Sequence, residues 1–518
     1  MALIIEKKDR RLIPNWRDFS TTVSLGELDS PSTVPMVKPN LSINDYIEDF
    51  QENKTIPFAA DLISASLVNG LTYKNEVKEA AKFIIDSQGK ATKSQYDISK
   101  CILSTDKNIG EDLTDNTTIA IENCLNKNDY NNQIKFLKKL AIDFPYNSVI
   151  WVELSRCYSI IGQESQSVKC MKIAVQLAPD NRFVLRCAVR LFSHYDEIDI
   201  AHDILRKSRL TNFDPWLTSA EISIAMLKNK SSKFIKRGIE LVDSDKLSPF
   251  SITELASSIA TLELLSGNRK KSKKMFGKSL INPNDNSLAQ MEWILSDMDK
   301  SLINREMLLN IKIKHNFEAQ TIANFNEKKL PDAFDNACLW FRDMPFSKRP
   351  VIIGSTIANI LDKRNLSIEF LKKGLIANPN DTQILNNLAY YFALDDNIKD
   401  ALNFLEKAKC NQIVNKTNSL ESIDICIMAT QGLIYFRQKK YDKGRDEYLK
   451  AIEKAKSTKD NDFIWTAMLN YAREEILANT ENAESIMQIV SKIPKIDENS
   501  ILIKKLHSDV LALYEQQK

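Results

Sequence analysis

Residues 147–181 read NSVIWVELSRCYSIIGQESQSVKCMKIAVQLAPDN. Trp151, Leu154, Ser155 and Tyr158 recur at helical spacing, and Gly162 can break the chain. Val168, Met171, Ala174 and Val175 then form a second apolar stripe that ends at Pro179. The stretch is a helix-turn-helix. Its bounding prolines belong to a series, Pro145, Pro179, Pro215, Pro249, Pro283, Pro345 and Pro379, with gaps of 34, 36, 34, 34, 62 and 34 residues. Proline lacks the amide donor and clashes with the preceding turn, so prolines at this period cut helical units to one length. The 62-residue gap has room for two units, one of them shortened.

This unit resembles the tetratricopeptide repeat (TPR), whose pattern is met by Trp151, Leu154, Ser155, Tyr158, Gly162, Met171, Ala174 and Pro179. Leu385, Leu388, Ala389, Phe392, Ala401, Leu405 and Ala408 fall at the same offsets, and Gly432, Tyr435, Tyr441, Tyr448 and Ala451 carry a third unit. Weaker units run through Leu185, Ala188, Phe192, Ala201 and Leu205, through Ile259, Ala260, Gly267, Phe276 and Ser279, and through Ala333, Ala337 and Trp340. Residues 285–315 lack the pattern, and 409–424 form an insertion. The resemblance covers 114–493, which at this period leaves room for about eleven helical pairs. It implies an all-α fold, a right-handed α-α superhelical solenoid of TPR-like helix-turn-helix repeats.

The flanks differ. Pro14, Pro31, Pro35 and Pro39 predict an extended arm over 1–40, and short amphipathic runs predict a small helical domain over 41–110. Residues 494–518 suit a capping helix. The arm segment RRLIPNWRDFS (residues 10–20) carries Arg11, Trp16, Arg17 and Phe19, which suit either docking on a partner or folding back on the solenoid.

Composition narrows the function. Twelve glycines and four histidines in 518 residues leave few positions for phosphate-cradling loops or metal ligands. No P-loop, dinucleotide, HExxH or GxSxG motif occurs, so neither catalysis nor a cofactor is expected. Eight scattered cysteines form no C-x-x-C pair, and His194 and His202 flank a repeat turn, so no metal site is expected. The short apolar start and the absence of a long apolar run predict a cytoplasmic protein outside the membrane.

Recognition remains, and a non-catalytic protein-interaction scaffold or adaptor is the expectation. The groove-facing offsets of the TPR, laid on these units, select Arg156, Arg186, Arg190 and His194, and further on Asn386, Tyr390 and Arg437. Arg156, Arg186 and Arg190 could pair with carboxylates of an acidic or C-terminal segment, or with glutamates of the solenoid itself. Arg156 and Arg190 stand where the TPR carboxylate clamp has Asn, which argues against chaperone binding. The partner proteins are not named by the sequence. An alternative is a nucleic-acid-associated subunit: residues 228–278 hold 12 basic and 5 acidic residues in a chain of net charge +3. Lys270, Lys271, Lys273 and Lys274 would then be the contacts, although they fall on a second helix, which lines the outer surface.

Overall fold

The computed structural model describes residues 1–2, 10–17, 42–68, 71–87, 91, 93–104, 129–244, 247–309, 311, 313–414, 421–458, 460–491 and 501–517. The described residues form helices, turns and loops and no strand. They fall into two compact units, one of Lys7–Ile322 and one of Met1–Glu6 with Ala323–Lys518.

The first unit begins with α1 (Ile43–Glu52), α2 (Ile56–Val68), α3 (Asn75–Asp86) and α4 (Lys93–Ser104). The helix α5 (Tyr130–Asp143) follows, then four pairs: α6 (Ser148–Ile160) with α7 (Glu164–Leu177), α8 (Arg182–His194) with α9 (Ile198–Lys207), α10 (Pro215–Leu227) with α11 (Ile235–Asp243), and α12 (Thr253–Leu265) with α13 (Arg269–Ser279). The regular pattern then lapses at α14 (Asp285–Asp297), whose partner α15 (Glu306–Leu309) is only four residues long. The division between the units falls within α16 (Phe317–Asn326). Beyond it come α17 (Leu330–Asp343), α18 (Lys348–Ile360) with α19 (Arg364–Ala377), α20 (Thr382–Leu394) with α21 (Ile398–Val414), α22 (Glu421–Arg437) with α23 (Tyr441–Thr458), α24 (Asn461–Leu477) with α25 (Ala483–Val490), and α26 (Ile501–Gln517). The 62-residue proline gap thus holds α14 with its stunted partner, then α16 and α17.

Local chemistry sets this rhythm. The side chains of Asn147, Asn181, Asp214, Asp381 and Asp460 accept backbone N–H groups at the starts of α6, α8, α10, α20 and α24, satisfying donors that have no partner within the helix. At the far end of most first helices, one residue takes a left-handed conformation: Gly162, Asp196, Asn229 and Gly267 in one unit, Lys328, Asp362, Asp396, Lys439 and Asn479 in the other. That twist lets the next N–H turn back onto the helix, as Gln163 N donates to Tyr158 O at 2.9 Å and Lys363 N to Ala358 O at 2.9 Å.

Paired helices meet where side chains nearly vanish. Ser155 and Ser167 exchange hydroxyl-to-carbonyl bonds of 2.8 and 2.7 Å, Ala389 and Ala401 are both fully buried, and Gly432 faces Gly444. A Cβ added at Gly432 would lie 3.1 Å from the Gly444 carbonyl. Each couple is twelve residues apart, so small residues fix the crossing of first and second helices in both units. The helix pairs are TPR-like.

Apolar burial joins the pairs. In the first unit one cluster links Phe50, Phe58, Leu62, Val77 and Ile84 of α1–α3 to Leu255, Ile259, Phe276 and Ile294. Asp49 seals that contact, accepting from Ser248 N at 3.0 Å and Ser251 Oγ at 2.5 Å. In the second unit a continuous core runs from Val351 through Leu388, Tyr448 and Tyr471 to Val510. There α26 packs on α24, and its Lys505 reaches back to Asp362 at 3.1 Å.

Candidate peptide-binding groove

First helices carry an unusual load of buried polar side chains. Glu254, Asn286, Gln290 and Glu318 in one unit, and Asn386, Asn387, Thr430 and Asn470 in the other, are all buried. A buried polar group is costly unless it is hydrogen-bonded, so each of these sets must have partners. In both units those partners include the N-terminal arm.

In the first unit the arm brings Arg10 to α14 and α16. Its guanidinium donates from Nε and Nη2 to the two carboxylate oxygens of Glu318 at 2.9 and 3.1 Å. Nη1 donates to Gln290 Oε1 at 2.6 Å, and Nη2 also reaches Asn286 Oδ1 at 3.0 Å. The same two amides hold backbone: Asn286 Nδ2 donates to Ile13 O at 3.1 Å and Gln290 Nε2 to Arg10 O at 3.4 Å. Asn286 and Gln290 are four residues apart on α14, hence on one face. Further on, Asn15 Nδ2 and Arg17 Nη2 both donate to Asp285 Oδ2, at 2.7 and 2.5 Å.

Burial along the arm alternates. Arg10, Leu12, Pro14 and Trp16 are buried, while Arg11, Ile13, Asn15 and Arg17 are half-buried. A period of two is that of extended backbone, with alternate side chains on opposite sides. The seat therefore reads a polypeptide as a strand-like ligand would be read, one side chain in two.

Behind the seat stands Glu254 of α12. It accepts from Asn286 Nδ2 at 3.1 Å and Asn284 Nδ2 at 2.9 Å, and it receives Arg186 of α8 in a two-pronged pair at 2.8 and 3.0 Å. Burial pushes the Glu254 carboxyl up, but Arg186 and the amides outweigh it and hold it below its ordinary value. The Arg186 guanidinium also lies 5.0 Å from the Trp216 ring centroid.

In the second unit Asn386 Nδ2 donates to the Met1 carbonyl at 2.9 Å, and Thr430 Oγ1 donates to Asn386 Oδ1 at 2.9 Å. The Met1 amine donates to Thr430 Oγ1 at 2.6 Å, and burial pulls its pKa from 8.0 down to about 4. Tyr390 OH donates to Asn470 Oδ1 at 2.9 Å and accepts from Arg473 Nη1 at 3.3 Å. Glu474 is shared by Arg473 and Arg437, at 2.8 and 2.9 Å.

The residues singled out from the sequence are thus distributed over both units. Arg156 on α6 pairs with Glu153 at 3.1 Å, Arg186 supports the seat through Glu254, and Arg190 is half-buried on α8. Asn386 and Tyr390 share α20 in the other unit. Where the arm lies, Glu318 and Asp285 pair with the basic residues Arg10 and Arg17. Sequence reasoning missed Asn286, Gln290 and Glu318. The signal for Asn286 and Gln290 was the lapse of the repeat pattern over 285–315; Glu318, on α16, had none. The basic residues Lys270, Lys271, Lys273 and Lys274 are exposed on α13, and only loose pairs, Lys271–Glu263 and Lys274–Asp243 at 3.9 Å each, restrain them.

Among the described residues no helix is long and apolar enough to cross a membrane, and no cluster of three or more His, Cys, Asp or Glu could hold a metal ion. No sequence-family profile and no curated protein matches the chain. Among solved structures the chain is similar to yeast Tom70, at 13% identity and a TM-score of 0.31, over 78% of this chain and 97% of that one. It is also similar to the APC/C hetero-tetramer Cut9-Hcn1, at 14% identity and a TM-score of 0.37, over 95% of this chain and 99% of that one. The fold class stands on the helix pairs themselves. The helix pairs give this chain an all-α, TPR-like helical-repeat fold.

Proposed function

We propose that this protein is a non-catalytic interaction scaffold or adaptor of the cytoplasm, holding an extended segment of a partner protein on the faces of its first helices. One observation carries the reading: Asn286 and Gln290 grip the backbone carbonyls of an extended segment while the same face takes its arginine side chain. Side-chain amides that hold main-chain carbonyls accept any sequence, and a side-chain pocket then supplies selectivity. Asn386 repeats the carbonyl grip in the second unit, which supports a shared mode of binding. In this reading Asn386 and Tyr390 touch the bound segment, Arg186 stiffens the seat from behind, and Arg156 and Arg190 flank it.

Purification of the tagged chain from its native cells, with and without nuclease, tests the class. A stoichiometric protein that survives nuclease supports the scaffold. Recovery of nucleic acid alone, lost on charge reversal at Lys270, Lys271, Lys273 and Lys274, would replace it with the nucleic-acid reading.

A further inference from the structure

The arm residues 10–17 fill a seat lined by buried polar side chains, with Leu12, Pro14 and Trp16 buried beside Arg10. What the arm satisfies is the polar face: Glu318, Gln290 and Asn286 are 7%, 0% and 2% exposed, and Arg10 supplies hydrogen bonds to all three. If the arm left, a carboxylate and two amides would remain in a buried, guanidinium-shaped pocket. Taking charge-assisted hydrogen bonds away from a buried carboxylate is costly, so the vacated seat favours another guanidinium.

We infer that residues 10–17 are a displaceable internal ligand, and that the seat on α14 and α16 recognises, in a partner, an extended segment with arginine followed by apolar side chains two, four and six residues on. The inference rests on the scaffold reading and names the ligand chemistry of its first unit. Selectivity follows from the contacts. Glu318 with Gln290 and Asn286 surrounds a planar fork of donors that lysine cannot match. The buried positions of Leu12, Pro14 and Trp16 demand apolar groups on the same side as the arginine. Asp285 takes a donor at the exit, here Asn15 and Arg17. A tether in cis presents its ligand at an effective concentration on the order of millimolar, so the arm raises the threshold that a partner must exceed.

The test uses the full chain and a labelled synthetic peptide of residues 7–20, KKDRRLIPNWRDFS. Fluorescence anisotropy should show saturable binding to an Arg10→Ala/Trp16→Ala chain, and binding at least about tenfold weaker to the parent, whose seat is filled by its own arm. A peptide with Arg10→Ala should not bind, and one with Arg10→Lys should bind about tenfold more weakly. Equal binding to variant and parent, or no binding to a variant with parental circular dichroism, overturns the inference while leaving the scaffold reading to its own test. Should the double variant fail to fold, a protease site inserted between residues 20 and 40 of the parent gives a second route. After cleavage, excess peptide should displace the residue 1–20 fragment, and its retention at saturating peptide overturns the inference.

Discussion

Arg10 and Glu318, 308 residues apart in sequence, form a two-pronged ion pair at 2.9 and 3.1 Å with both side chains buried. The pair locates the groove. Removing either partner leaves the other charge buried. Glu318→Leu should therefore lower stability by about 3–5 kcal/mol, read as a falling urea midpoint. Arg10→Ala should cost less, because the freed arm can let water reach Glu318. A double variant less stable than the sum of the two singles would contradict a direct pairing.

Arg186 and the buried Glu254 form a two-pronged pair behind the seat, and Arg186→Lys keeps the charge while losing one prong and the planar contact with Trp216. A loss of about 1–3 kcal/mol is expected by denaturant titration. The pH dependence has a definite sign. Glu254 is held below its ordinary value of 4.5 in the folded chain, so its contribution is complete above pH 4.5 and disappears as pH falls through the folded value. Glu254→Gln should flatten that acid limb of the stability profile.

The Met1 amine titrates in another window. Its folded pKa of about 4 lies below the 8.0 of an exposed amine, with burial as the main cause, Cys426 opposing it and Arg473 and Glu474 acting in opposite senses. Between pH 8 and pH 4 the unfolded chain binds the extra proton, so stability falls as pH falls across that range. A chain lacking Met1 and Ala2 should show a shallower slope of melting temperature there. An identical slope would contradict the buried neutral amine.

Close approach of helices gives a local test. A Cβ at Gly432 would lie 2.8 Å from Tyr448 Cδ2 and 3.1 Å from the Gly444 carbonyl, so Gly432→Ala should destabilise by about 1–3 kcal/mol. Gly277 on α13 has open space around it, and Gly277→Ala should be neutral or gain about 0.5–1 kcal/mol. Thermal melts of the two variants should move in opposite directions or separate clearly.

The fold was legible because its signals are local. Prolines at one period, capping Asn and Asp residues, and small residues such as Ser155 and Gly432 act within a single hairpin. Asn386, singled out by its offset in the repeat, meets the Met1 carbonyl in the structure. The seat was not legible. Helices α1–α15 stand between Arg10 and Glu318 in sequence, and no short-range pattern records that pairing. Nor could the charge of the groove be read from Arg156, Arg186 and Arg190, because Arg156 and Arg186 are met by Glu153 and Glu254 from the solenoid itself. The lapse in pattern at α14 was visible, and the structure places the arm contacts of Asn286 and Gln290 there.

The central claim is that partner proteins are held on first helices. The most direct measurement places a photo-reactive residue at Arg190 on α8 or Asn359 on α18, both half-buried on first helices, and at exposed Lys273 on α13 for comparison. After illumination in native cells, the account predicts discrete protein adducts from Arg190 or Asn359 and none from Lys273. Adducts confined to Lys273, or nucleic acid in place of protein at every position, would contradict it.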